Sequence, residues 1–133
     1  MQDTVCGSSP VLSTLATVEV AAAAGTLGDV AIIHVGTNGP VESSDLDAIV
    51  AAALGADTIW LTTIRTPWGN QVVENQRIID AAHRWDDFHD VRVLDWDAIV
   101  DARPEALDRD GIHLSYVGRR IFTEMIGDAL AAS

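Results

Sequence analysis

A chain of 133 residues with 48% hydrophobic and 21% charged side chains has the length and composition of one folded domain, not of a disordered segment. Its 20 acidic against 8 basic residues, a net charge of −12, exclude nucleic acid and anionic membrane surfaces as partners, because both are gripped through Lys and Arg. One cysteine, Cys6, excludes an internal disulfide framework and a cysteine-built zinc site, and no apolar run approaches the roughly 20 residues of a membrane-spanning helix.

In chain order, a short strand at Thr4-Val5-Cys6 comes first and runs into Gly7-Ser8-Ser9. The Ala- and Leu-rich segment after Pro10 reads as a helix ending near Gly25 or Gly28. Asp29 to Val35 is a β-branched strand closed by Gly36-Thr37-Asn38-Gly39-Pro40. Ser43 or Ser44 caps the next helix, whose Leu46, Ile49, Val50 and Leu54 recur on one face. Thr58 to Ile64 forms another strand, with Trp60 in the core, and Arg65-Thr66-Pro67-Trp68 follows it. A helix from about Val72 to Trp85 turns Val72, Ile79 and Ala82 inward. Val91 to Asp95 is the last strand, and Trp96 packs beneath the loop that follows. The final helix starts after Ser115 and offers Val117, Ile121, Phe122, Met125 and Ile126 to a core.

Strands without polar alternation, each followed by a helix, predict a three-layer α/β/α fold over residues 1–133, with a flavodoxin-like parallel sheet of about four strands. Loops at the carboxyl ends of such strands collect function. His34, inside an apolar strand, reads as a hydrogen-bonded core residue, and His83 and His89 have no metal-site spacing.

Two loops carry chemistry. In Asp110-Gly-Ile-His113 a carboxylate three residues from an imidazole, with a glycine between, can fold back onto the ring and fix its tautomer, freeing the other nitrogen as a base. The plainer alternative is a loop in which Asp110 caps a turn and His113 is incidental. In Gly36-Thr37-Asn38-Gly39 an asparagine at a strand's end can aim its amide at a developing oxyanion, or can simply make a turn.

The series His34-Val-Gly-Thr-Asn-Gly-Pro40, Thr66-Pro-Trp68, Asn75, Asp95-Trp96 and Asp110-Gly-Ile-His-Leu114 resembles the SGNH (GDSL-like) hydrolase family, in particular the SGNH domain of bacterial membrane O-acyltransferases. The resemblance runs from about Asp3 to about Ile126. It implies His113 as general base and Asp110 as its orienting acid, with Asn38 and the Gly7 backbone as the oxyanion hole. Thr37 and Trp68 become candidates to line the substrate site, though Trp68 equally suits packing over the sheet edge. The family's nucleophile belongs to a Gly-Asp-Ser block on an earlier strand, and no such block stands in this sequence. The expectation is therefore a chain lacking the family's first βα unit, N-terminally incomplete and poorly active. If the family sheet has the order 2-1-3-4-5, that strand is internal, and Thr4–Cys6 must pair elsewhere or fray. Ser8 would keep the order Ser, Asp, His, but only 30 residues separate it from Asn38, too few for the missing unit. Cys6 is a weaker nucleophile candidate than Ser8.

The resemblance implies acyl transfer on acylated carbohydrate or cell-envelope substrates without metal or organic cofactor, and membrane contact only through a fused domain. A non-catalytic glycan- or ligand-binding module is the alternative. A flavodoxin-like nucleotide domain is disfavoured, since no phosphate-binding glycine loop is present. No signal peptide is visible. The cell envelope is the expected location for part of a membrane acyltransferase, and the cytoplasm otherwise.

Overall fold

The structure, a computed structural model, describes residues 2–6 and 11–133, with side chains from Ser13 onward. Four strands, β1 (Gln2–Cys6), β2 (Val30–His34), β3 (Thr58–Thr62) and β4 (Asp90–Leu94), form one parallel sheet in the order β1-β2-β3-β4. Between them run α1 (Val11–Ala24), α2 (Ser43–Ala52) and α3 (Gln71–Asp86). After β4 come α4 (Trp96–Ala102), a 3₁₀ turn at Pro104–Ala106 and α5 (Tyr116–Ala132). This is the expected α/β fold with helices on both faces.

A strand order that follows the chain has a simple consequence. Right-handed crossovers that always step the same way put every crossover helix on one face. The core divides accordingly. Ala31, Ile33, Ile59 and Leu61 pack with Val18, Leu46, Ile49, Ile78 and Ala81 from α1, α2 and α3. Val30, Ile32 and Leu94, pointing the other way, pack with Trp96, Val100, Ile121, Phe122 and Met125 from α4 and α5. Burial of both sets explains why the strands show no polar alternation. Strand β1 does not fray: its backbone pairs β2 from Gln2↔Val30 to Cys6↔His34. The order 2-1-3-4-5 with its internal strand left out becomes 1-2-3-4, which is the sheet observed.

Several details depart from the sequence reading. Helix α2 begins with Glu42 as its N-cap, and Asp45 Oδ2 accepts from the Glu42 amide at 2.9 Å, so Ser43 and Ser44 are not the cap. Leu54 lies beyond the end of α2 and is exposed, as are Val72 and Val117. Trp60 is only half-buried: its indole donates to Ser133 Oγ at 2.9 Å and lies 5.3 Å from the Arg92 guanidinium. His34 stacks on Phe122 with centroids 5.8 Å apart, yet its buried Nε2 has no hydrogen-bond partner among the described residues. Burial pushes the His34 pKa down to about 4, since protonation would leave a charge in the apolar layer.

The buried stripe of α3 is polar at its start, with Glu74 and Asn75 followed by Ile78, Ala81 and Ala82. Asn75 acts as a substitute strand partner for Ile64. Its Oδ1 accepts from the Ile64 amide at 2.7 Å, and its Nδ2 donates to the Ile64 carbonyl at 2.9 Å. Asn75→Ala strips both partners from a buried peptide group. The expected loss is about 2–4 kcal/mol in denaturant unfolding, and a loss under about 1 kcal/mol would mean that water takes over both bonds.

Candidate active site

The carboxyl ends of the strands gather the loops named from the sequence. Asn38 lies in the turn after β2 with its side chain exposed and Thr37 half-buried beside it; both make interactions within the protein. After β3 the chain passes through Arg65, Thr66, Pro67 and Trp68, and Trp68 is 66% exposed, so it does not pack over the sheet edge. Gly7 and Ser8 lie outside the described residues.

The Asp110–His113 loop is a small hairpin stitched at its base. Leu107 and Leu114 form an antiparallel bridge, the Asp108 amide donates to the His113 carbonyl at 2.8 Å, and the Gly111 amide to the Asp108 carbonyl at 3.0 Å. Ser115 closes the hairpin: its amide donates to the Ala106 carbonyl at 3.0 Å and its hydroxyl to the Glu105 carbonyl at 2.5 Å. Ser115 Oγ also accepts from the Gly118 amide at 2.9 Å, capping α5. Gly111 adopts φ +72°, and a methyl group there would come within 3.1 Å of Pro67 Cβ, so this hairpin lies against the loop that carries Trp68.

Within the hairpin, Asp110 uses both oxygens. Oδ1 accepts from the amides of Ile112 at 2.9 Å and His113 at 3.0 Å. Oδ2 meets His113 Nδ1 at 2.5 Å. The turn that places the carboxylate is thus the turn that presents the ring, which is why three residues suffice. The His113 bond, then the two amide bonds, lower the Asp110 pKa to about 2. In return the bond from Asp110 and its charge raise the His113 pKa above the ordinary 6.5. The His113 side chain is 77% exposed, and no described residue hydrogen-bonds Nε2.

A raised imidazole pKa has a definite sign for a base. Below that pKa Nε2 carries a proton and cannot accept one; above it the ring is neutral and competent. The NMR titration of His113 is expected to fall above 6.5, and to move down toward 6.5 in Asp110→Asn, which removes the negative charge. A midpoint unchanged by that substitution would separate the acid from the base.

Sequence reasoning missed the supports of these loops. Thr63 Oγ1 donates to Asp95 Oδ1 and accepts from the Asp97 amide, both at 3.0 Å, and Asp95 Oδ1 caps α4 through the Ala98 amide. Arg65 ties the same loop to Asp97 at 2.5 Å and to Asp101. Glu74 Oε2 accepts from the Val41 amide at 3.0 Å, and Arg77 donates to the Val41 carbonyl at 3.1 Å. Only α4 had a local signal, an aspartate just ahead of an apolar turn. Among the described residues no cluster of three or more His, Cys, Asp or Glu side chains is arranged to hold a metal ion.

Fold and loop geometry define the class: a parallel α/β sheet with an acid–imidazole pair in a hairpin at its carboxyl edge. No family model matches the chain. Curated relatives do: it is 31% identical over 99 residues to the O-acetyltransferase OatA of Staphylococcus aureus, in strains NCTC 8325, COL and MRSA252 among others. That stretch is 74% of this chain and 16% of the relative, so the chain spans about a sixth of the length of the curated relatives it matches. Among solved structures, the Clostridium thermocellum family 3 carbohydrate esterase shares the fold, with a TM-score of 0.69 at 17% identity over 93% of this chain and 68% of that one. Both matches support the resemblance to the SGNH (GDSL-like) hydrolase family that the sequence motifs carry.

Proposed function

We propose that this chain is an acyl-transfer domain of the SGNH type, an ester hydrolase or O-acyltransferase acting on acetylated carbohydrate or cell-envelope polymers. The observation that carries the reading is the Asp110–His113 pair, with Nδ1 held at 2.5 Å and the ring exposed beyond it. The named activities of the relatives, an O-acetyltransferase and a carbohydrate esterase, support the acyl group and the kind of substrate.

In this mechanism a serine hydroxyl attacks the ester carbonyl while His113 Nε2 takes its proton, and Asp110 stabilises the imidazolium. The Asn38 side-chain amide and the Gly7 backbone amide receive the oxyanion. Collapse breaks the ester bond, and His113 returns its proton to the departing alkoxide. Water or a sugar hydroxyl, deprotonated in turn by His113, then attacks the acyl-serine and regenerates the serine.

The serine is the open part. Ser115, nearest to His113 in sequence, has its hydroxyl committed to the Glu105 carbonyl and the Gly118 amide, so it is not the nucleophile. Ser8 remains the candidate within this chain, and turnover is expected to be weak because the Gly-Asp-Ser block is absent. The test is release of product from a chromogenic acetyl ester by the parent chain and by its His113→Ala variant, with fluorophosphonate labelling to map any reactive serine. Equal release by both proteins would overturn the reading.

A second reading, a binding module without turnover, has its own support. No described hydroxyl reaches His113 Nε2, and Trp68 offers an exposed aromatic face beside the hairpin. Saturable binding of an acetylated oligosaccharide, weakened by Trp68→Ala, with neither labelling nor turnover, would select it.

A further inference from the structure

Glu74 is a buried acidic residue, 5% exposed, with no place in the chemistry above. Acidic side chains are rarely taken out of water unless bonded there, and its bonds lead to one place. Oε2 accepts from the Val41 amide at 3.0 Å, while Arg77, one turn along α3, donates to the Val41 carbonyl at 3.1 Å. Arg77 also lies 3.7 Å from both Glu74 and Glu42. Both polar groups of the Val41 peptide backbone are therefore held by side chains of α3.

The next residue of α3 does the same elsewhere, since Asn75 holds the amide and carbonyl of Ile64. The two clamped residues meet at one point. Val41 and Ile64 are both fully buried, and a methyl group on Gly36 would come within 3.3 Å of Ile64 Cδ1 and 3.4 Å of Val41 Cγ2. Gly36, at φ +120°, opens the turn that carries Asn38. The far side of that turn ends at Val41. One end of the Asn38 turn is thus gripped directly by Glu74 and Arg77, and the other rests on the two side chains that α3 fixes.

We infer that Glu74, with Arg77, is a positioning residue that sets where the Asn38 turn stands relative to the sheet edge. The functional meaning rests on the oxyanion role proposed for Asn38, but the positioning is measurable without any turnover. The experiment is amide hydrogen exchange, residue by residue, on the parent chain, Glu74→Leu and Glu74→Gln. Glu74→Leu removes the acceptor; Glu74→Gln keeps one and removes the pairing with Arg77.

In Glu74→Leu, exchange at Val41 and through residues 36–39 is expected to rise about 10- to 100-fold, the range spanned by loss of a hydrogen bond to a charged group. The amides of β3 and α5 should keep their protection, and Glu74→Gln should restore most of it at Val41. Unchanged exchange at Val41 in Glu74→Leu would overturn the inference. So would an equal rise throughout the sheet in both variants, because a merely structural buried group loosens the whole fold and is not rescued locally. Failure of acetyl-ester turnover in the parent chain touches the proposed function and leaves these outcomes as they stand.

Discussion

The His113→Ala variant is expected to turn over a chromogenic acetyl ester at least about 10²–10⁴-fold more slowly than the parent chain, the usual contribution of a positioned general base. The size of the loss reports what His113 deprotonates. If a serine carries the acyl group, serine and histidine act as one unit, so the loss approaches about 10⁶, and removing both costs no more than removing one. If His113 activates water directly, only the smaller factor is lost. Ser8→Ala separates these cases within the chain: it matches His113→Ala when Ser8 is the nucleophile and leaves turnover unchanged when water attacks directly. Asp110→Asn should fall between, losing about 10⁴ where a serine is used, because the Asp110 bond to Nδ1 fixes which nitrogen is free. Turnover in His113→Ala equal to that of the parent would remove the dyad from the chemistry altogether.

The parts of this site that were legible in the sequence are those whose cause is local. The Asp110–His113 turn needs only the two amides of Ile112 and His113 and a glycine at φ +72°, all within four residues. The strands were legible because residues such as Ala31 to Ile33 are buried on both faces, which leaves a β-branched run with no polar interruption. Helix α3 was placed to within a residue at each end, but its inward face was misread. Ala82 is buried as expected, but Val72 is exposed, and the inward face is completed by Glu74 and Asn75. Their burial depends on partners at Val41 and Ile64, 33 and 11 residues away, and no periodicity encodes those. The sheet order was half legible: the pairing of β1 with β2 depends on which neighbour is present, a property of the whole sheet and not of Thr4-Val5-Cys6.

Gly118→Ala is expected to be the most destabilising small substitution in the last helix, although alanine is the better helix former by about 1 kcal/mol. A methyl group at Gly118 would stand 1.8 Å from the Ala106 carbonyl oxygen and 2.7 Å from its carbon. Backbone cannot rotate aside as a side-chain tip would, so α5 or the Pro104–Ala106 turn must move by more than 1 Å, on the order of the difference from ordinary van der Waals contact. Overpacking against side chains usually costs about 1–3 kcal/mol. Against a fully buried carbonyl the expected net loss is about 3 kcal/mol, which lowers the unfolding midpoint of a domain of this size by roughly 10 °C. The same carbonyl accepts from the Ser115 amide, so the displacement also pulls on the stitch that closes the Asp110–His113 hairpin. Gly127 in the same helix supplies the control, because nothing lies within 4 Å of a methyl group there, and Gly127→Ala should raise stability by up to about 1 kcal/mol. The two variants should therefore move in opposite directions by calorimetry, and the His113 titration should shift toward 6.5 only in Gly118→Ala. Equal effects of the two would mean that α5 does not hold the hairpin through this contact.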